Sequence, residues 1–571
     1  MAVASVREPA QGRKPNRERE ADAPLAGVVG KVMALLQGDL GLLLLLIILT
    51  AALRTGQIAR TEVTSSDSLA FIQYAWQLEH EPWQSVLRGA NRHPGYPVAI
   101  LAVARPVRYF VDGPDPWTMQ LSAQLASAVA SVLLIVPLFY LGRELFDRFV
   151  GFWAAMLFQC LPASSEVLAD GLSEGVFLLF AVTGLLAAAR GLRGGRAAWF
   201  VLCGVCGGLA YLTRPEGALV VAATAVVLLG CQAVPAWRRS WTRLLACGLG
   251  LSAAALAVGG PYVAVTGRLT VKPTVKALTS PFAEDDDAVS PGESARLSRG
   301  RTGAGRTAPL VAPTWAVWWP GGDTNRSWWG LWAVTQGMVE GYFYVAWLPA
   351  LLGLWWFRDR FRLVPGAWVL LVVCLILLLL LWRVAAALGY VSERHLLLVI
   401  LCGTYWVVAG VRELPVRLAV VLGRWSVPSG TWISRLAESR FIAPVLLALL
   451  VAAGLPKNLA PLHAEQAGFR AAGAWLAAHS GPTDTVIDPY RWAAYYAGKL
   501  LPKSPADSPP RSGTQYVVLP ARDAEHPRRP QVAPALRLAA RGKEVYRTPP
   551  SGRRGRGAEV VVYAVPGPTA P

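Results

Sequence analysis

Long apolar runs, interrupted by short polar or basic stretches, dominate the first four-fifths of the chain. A membrane-spanning helix needs roughly 20 apolar residues. About eleven segments approach that length, centred on 38–53, 118–141, 149–166, 172–189, 197–213, 217–236, 244–264, 333–357, 364–382, 395–411 and 441–455. The pattern predicts a polytopic α-helical membrane protein. The first run follows a basic tail, residues 1–37, containing Arg7, Arg13, Lys14, Arg17 and Arg19. That tail, with no convincing cleavage site after it, favours an uncleaved anchor over a signal peptide; either way residue 54 crosses the membrane.

The pattern changes after residue 455. A helical period in AGFRAAGAWLAAH alternates with strand-like runs DTVIDP, TQYVVLP and AEVVVYAV and with Pro/Arg-rich linkers, which predicts a small soluble α/β domain over 456–571. The membrane domain then covers 38–455, with a first outer loop at 54–116 and a long outer loop at 265–332. Residues 284–308 of that long loop have the composition of a mobile segment. Residues 95–111 are apolar enough to suggest a span but contain Arg105, Pro106 and Arg108. If they crossed, every later loop would change sides, so they are expected to form an interfacial or re-entrant helix on the outer surface.

Composition agrees with a membrane protein and excludes an ordinary soluble one: 54% of residues are hydrophobic, 16% are charged, and mean hydropathy is +0.39. The net charge of +19, from 55 Lys and Arg against 36 Asp and Glu, raises the question of nucleic acid. Its distribution answers otherwise. Arg143 and Arg148, then Arg190, Arg193 and Arg196, then Arg238, Arg239 and Arg243, then Arg358, Arg360 and Arg362, then Arg412, Arg417, Arg424, Arg435 and Arg440 fall in alternate loops. Basic residues favour short cytoplasmic loops, so these set the orientation: N-terminus inside, C-terminal domain outside, and no nucleic acid partner. The seven cysteines all lie in apolar stretches. Cys203-x-x-Cys206 stands on a small-residue helix face, VLCGVCGGLAYL, that reads as packing rather than metal or redox chemistry.

The remaining ionisable residues near span ends gather on the outer side, where a charge close to hydrocarbon has a partner or a role. Asp67, in TEVTSSDSLAFIQYAW, is either the cap region of an amphipathic helix resting Leu69, Phe71, Ile72 and Trp76 on the membrane, or a general base. Arg92 and His93 stand in the proline-fixed turn NRHPGYP and can donate to a phosphate or a sugar. Asp170 and Glu174 are four apart in LADGLSEG, a spacing that would project both the same way from a helix. Arg214 and Glu216, in TRPEG, suit either an ion pair or a ligand contact. Arg394, next to Glu393 and His395 in SERH, suits a phosphodiester or snorkelling to headgroups. Trp315, Trp318, Trp319, Trp328, Trp329 and Trp332 read as an interface belt, and Glu284-Asp285-Asp286-Asp287 as a solvated acid run without metal-loop spacing.

Taken in order, the Asp after the first span, HPGYP, DGLSEG, TRPEG and SERH resemble the GT-C superfamily of polyprenyl-phosphate-sugar-dependent glycosyltransferases. The likeness is to bacterial glycosyltransferase family 39, related to protein O-mannosyltransferases and aminoarabinose lipid A transferases, over roughly residues 35–500. It implies a bundle of membrane helices with amphipathic helices in the first outer loop, and a donor sugar on a polyprenyl-phosphate carrier that enters from the bilayer. By that resemblance Asp67 is the catalytic base of an inverting transfer to an acceptor hydroxyl. Arg92, His93, Arg214 and above all Arg394 would receive the leaving phosphate, while Asp170, Glu174 and Glu216 would orient sugar hydroxyls or hold those cations, with Glu393 beside them. Ser68 follows Asp67 where the family often has a second acidic residue, which argues against a metal there, and His395 stands where Tyr is common. A divalent cation has no motif to support it, and the acceptor, whether protein, glycan or lipid, has no signature. The competing classes are a transporter or flippase of lipid-linked sugars and an inactive scaffold; transporters place ionisable groups near the midplane and repeat their halves, and neither feature is evident.

Overall fold

The computed structural model describes residues 38–270, 326–388, 391–424, 441–502, 513–522, 532–549 and 559–566. The basic tail 1–37, the acid run 284–287, Trp315, Trp318 and Trp319, and Arg435 and Arg440 lie outside these residues. Helix α1 (Asp39–Arg60) is followed by α2 (Ser66–His80), α3 (Trp83–Gly89) and α4 (Gly95–Phe110) in the first loop. Next come α5 (Asp115–Leu145), α6 (Arg148–Cys160), α7 (Pro162–Ala169), α8 (Glu174–Gly194), α9 (Ala197–Thr213), α10 (Ala218–Gly230) and α11 (Trp241–Thr266). The membrane part closes with α12 (Arg326–Gly341), α13 (Trp347–Trp356), α14 (Pro365–Leu388), α15 (Leu397–Arg424) and α16 (Ile442–Asn458).

Among the described residues, seven helices are long and apolar enough to cross a membrane, or eight if α6 and α7 form one bent span. Three shorter apolar helices, α9, α13 and α16, accompany them. Each apolar run read from the sequence is therefore helical, but two expected to be unbroken are not. At 149–166 the axis turns by 66° between α6 and α7, where Pro162 opens α7 without an N–H to donate backwards. At 333–357 the helix stops at Gly341, and Phe343 and Tyr344 adopt left-handed φ values of 53° and 61°. Pro349 then falls in the first turn of α13, where its missing N–H costs no helical hydrogen bond. The first helix also runs on to Arg60, beyond the apolar run that ends near residue 53.

Helix α5 is central and packs on α1, α4, α6 and α8. Helix α9 meets α11 through its small face: a Cβ on Gly204 would collide with the Leu251 carbonyl oxygen, and one on Gly208 would come within 2.7 Å of Val258. Cys203 and Cys206 are buried beside these glycines, so the pair packs as expected. On α12, Trp328, Trp329 and Trp332 are exposed.

The apolar face of α2 corrects an expectation. Leu69, Phe71, Ile72 and Trp76 do not face outward; they are buried in a second core with Tyr96, Ile100 and Ala104 of α4 and Met119 and Ala123 of α5. Tyr495 and Leu501, from after the last span, complete this core. Helix α4 has 16 residues and buries Tyr96, Ile100, Ala104 and Val107 while leaving Val98, Tyr109 and Phe110 exposed.

After α16 the chain forms α17 (Ala467–His479), β1 (Thr485–Ile487), α18 (Trp492–Tyr496), β2 (Gln515–Pro520), α19 (Ala533–Ala539), β3 (Lys543–Arg547) and β4 (Val560–Val565). The sheet order is β1-β2-β4-β3, with β1 parallel to β2 and the other pairs antiparallel. One core joins Phe469, Ala472 and Leu476 of α17 to Val518, Val560 and Val562, and another joins α19 to Val517, Leu519 and Val565. This α/β domain rests on the first loop. The Trp492 indole donates to the Thr64 carbonyl (2.9 Å), Trp76 to the Pro502 carbonyl (2.7 Å), and Tyr496 to Gln120 (2.8 Å).

Candidate active site

Ser65 caps α2, its hydroxyl accepting from the Ser68 N–H at 3.3 Å, and this sets Asp67 in the first turn of the helix. Two arginines converge on its carboxylate. Arg92 Nη2 lies 2.9 Å from Asp67 Oδ1, and Arg394 pairs with Oδ2. The Arg92 guanidinium also lies over the Phe71 ring, 4.5 Å from its centroid and one turn along α2 from Asp67. The headgroup-snorkelling alternative for Arg394 gives way to this inward ion pair.

Each arginine is delivered by a short irregular segment. The turn holding Arg92 and His93 enters α4 at Gly95, where a Cβ would lie 2.8 Å from the Leu212 carbonyl oxygen. That close approach sets the turn against the end of α9, beside Arg214. Arg394 is held by the 3-10 turn Glu393–Leu396, capped by Ser392, whose N–H is 3.4 Å from His395 Nδ1. Arg214 pairs with Glu174, at the start of α8, and lies 3.4 Å from Glu216. His93 is buried between the rings of Tyr211 and Tyr262, with centroids 5.2 and 5.1 Å away.

These groups surround a cavity of about 110 Å³ lined by Phe71, Arg92, His93, Glu174, Arg214 and Arg394 among others. Glu216 lines a smaller adjoining space with Glu174, Arg214 and Arg394. Seven of the nine predicted site residues thus meet: Asp67, Arg92, His93, Glu174, Arg214, Glu216 and Arg394. Asp170 and Glu393 do not line this space. Glu393 turns toward Glu340, within electrostatic reach of Lys457 and Glu166.

Asp170 and Glu174 do not project together. Helix α7 ends at Ala169, Gly171 takes a left-handed φ of 66°, and α8 begins afresh at Glu174, so the helical spacing argument fails. Asp170 Oδ1 instead accepts the Ser65 N–H at 3.1 Å, and Oδ2 lies 2.9 Å from His463 Nε2. Nothing local in PLHAEQ marked His463 in the sequence, because its partner lies 293 positions away.

Burial alone would raise the Asp67 carboxyl, but Arg394 and then Arg92 outweigh it and hold the group down at about 2. Burial would lower the His463 imidazole, and Asp170, assisted by Glu166 and Glu465, lifts it above its usual value instead. Among the described residues no group of three or more His, Cys, Asp or Glu is arranged to hold a metal ion. The arrangement is a pair of guanidiniums closed on a carboxylate, next to a second, more buried Arg–Glu cluster.

A chain with this bundle, loop helices and small C-terminal sheet has the GT-C fold of membrane glycosyltransferases. Residues 118–258 match the family described as dolichyl-phosphate-mannose-protein mannosyltransferase. The crystal structure of ArnT from Cupriavidus metallidurans bound to undecaprenyl phosphate aligns over 94% of this chain and 100% of its own, at 14% identity and a TM-score of 0.54. Its apo form aligns over 91% and 97%, at 12% identity and a TM-score of 0.52. The oligosaccharyltransferase AglB from Archaeoglobus fulgidus, in complex with an inhibitory peptide and a dolichol-phosphate, shares 14% identity with a TM-score of 0.46; the match covers 81% of this chain and 60% of AglB. No curated protein matches the chain by sequence.

Proposed function

We propose that the protein is a membrane glycosyltransferase that moves a sugar from a polyprenyl-phosphate carrier to an acceptor hydroxyl at the outer face of the membrane. The carrying observation is the closure of Arg92 and Arg394 on Asp67. Two such cations can hold a phosphate, and such a carboxylate can take the proton of an attacking hydroxyl. The part-chain match to a mannosyltransferase family and the fold shared with a structure holding undecaprenyl phosphate support the donor class.

In this reading the acceptor O–H gives its proton to Asp67 as its oxygen bonds to the anomeric carbon. The bond from that carbon to the phosphate oxygen breaks on the opposite face, its electron pair leaving with the polyprenyl monophosphate, and the anomeric configuration inverts. Arg394 and Arg92 take up the charge that develops on the leaving group. Arg214, held by Glu174 and Glu216, adds a third cation to the same cavity, and His93 offers a hydrogen bond to phosphate or sugar.

The ion pairs suggest an order of events. A carboxyl near 2 is a weak base, and it strengthens once a phosphate competes for its two guanidiniums. Donor binding therefore arms Asp67, and acceptor attack follows. The test is mass spectrometry of envelope glycans and lipids from cells with and without the protein, which reports sugar and acceptor together. Unchanged glycans and lipids, with an intact protein in the membrane, would remove the transferase reading.

A further inference from the structure

The helix carrying Asp67 is fixed from the far end of the chain. Asp170, 3% exposed, lies between them. Its Oδ1 accepts from the Ser65 N–H (3.1 Å) and the Thr64 hydroxyl (3.4 Å), and its Oδ2 meets His463 Nε2 at 2.9 Å. Its backbone carbonyl accepts from Ser68 Oγ at 2.6 Å, and that of Gly171 from the same hydroxyl at 3.0 Å. Thr64, Ser65 and Ser68 bracket Asp67, so the contacts of Asp170 fix the first turn of α2. His463 itself has a left-handed φ of 51° and opens the turn Ala464–Gln466 that runs directly into α17. The Trp492 indole holds the Thr64 carbonyl from the same domain.

We infer that His463 is a positioning residue for sugar transfer: through Asp170 it sets the first turn of α2, and with it the Asp67 carboxylate, so the C-terminal domain is part of the active-site scaffold. This rests on the reading of Asp67 as base. A carboxylate buried this far needs its oxygens occupied. Without His463, Oδ2 loses the contact at 2.9 Å, and the side chain is free to turn away from Ser65. The result is a shift of Asp67 relative to Arg92 and Arg394, with the cavity walls unchanged.

The full-length chain tests this with H463A, H463Q and W492F, in nanodiscs for hydrogen exchange and in native membranes, which supply the acceptor, for turnover. Hydrogen exchange of the 64–80 amides is expected to rise in H463A and to return toward wild type in H463Q, whose amide can still donate to Asp170. With undecaprenyl-phosphate mannose as probe donor, read as undecaprenyl phosphate released in membranes, H463A should lose kcat by roughly ten- to hundredfold, with KM little changed, as small displacements of reacting groups do. H463Q should recover most of that loss. W492F, which keeps its ring packing but loses the bond to Thr64, should move both readouts in the same direction by less, and it serves where H463A does not fold. Unchanged exchange over 64–80 in H463A and W492F, or a KM defect without a kcat defect, overturns the inference. If the wild-type chain releases no undecaprenyl phosphate, mannose is not the donor sugar or the transferase reading fails, which the glycan and lipid comparison separates, and hydrogen exchange still decides whether His463 holds the helix.

Discussion

Arg54 and Arg394 are both guanidiniums drawn largely out of water, and their surroundings satisfy them in opposite ways. Arg54, 1% exposed in α1, gives Nε to Ser131 Oγ, Nη1 to Gln57 and Ser165, and Nη2 to the side chain and carbonyl of Gln159, over distances of 2.7 to 3.1 Å. These partners are hydroxyls, amides and carbonyls, and they come from α1, α5, α6 and α7, the last two meeting at the 66° bend. Arg394, 27% exposed at the side chain, meets Asp67, which it shares with Arg92. One cation has its donors saturated by neutral groups fixed on four helices, so no ligand can improve its position. The other sits in a part-exposed ion pair that, on the proposed function, an incoming phosphate exchanges for itself. The first arrangement builds scaffold, and the second leaves interaction energy available to a substrate.

Substitution at each centre should therefore fail differently. D67N should lower turnover of a polyprenyl-phosphate sugar by about 10³-fold, with a melting temperature near wild type and with undecaprenyl phosphate bound at least as tightly, since its competitor for the arginines is gone. Full activity would remove Asp67 as base. R54A should instead cost about 3 kcal/mol of stability or more, because several buried acceptors lose their donor at once; thermal unfolding in detergent reads this. A stable R54A with impaired catalysis would break the contrast. R394A and R92A should each raise KM for the donor by about tenfold, as loss of one charge-assisted hydrogen bond does. Initial rates across donor concentration check this, and unchanged donor kinetics in both would sever the arginines from the phosphate.

The difference between the two centres was only partly legible in the sequence. Apolar runs announced the helices, because hydrocarbon tolerates little else for 20 residues. The charges near the span ends stood out for the same reason, and seven of nine share one site. What escaped depended on where the chain bends. Asp170 and Glu174 read as one helical face until Gly171, at a φ of 66°, separated them. Leu69 and Trp76 read as a membrane-facing surface because α4 and Tyr495, their partners, come from elsewhere in the chain. Residue 54 was placed at the start of the first outer loop, and Arg54 had no mark as a buried centre, since only tertiary structure brings Gln159 and Ser165 to it. His463 had no local signal at all.

The finest separation between the two centres is in pH. Asp67, held at about 2, lies below the usual 3.8 for a free Asp. A depressed carboxyl stabilises the fold above the unfolded value and loses that contribution as pH falls through the folded one, so this ion pair does not titrate near neutrality. For rates, the pH dependence of kcat/KM reports the free enzyme and that of kcat the donor complex. If the donor phosphate draws Arg394 and Arg92 away, the carboxyl rises in the complex, and the acid limb of kcat should lie above that of kcat/KM by about one unit. In R394A the free-enzyme limb should itself move up, narrowing the gap. Coincident limbs in the wild type would mean that the guanidiniums stay on Asp67 through turnover, and the site would then resemble the closed, saturated centre at Arg54 more than an ion pair opened by its substrate.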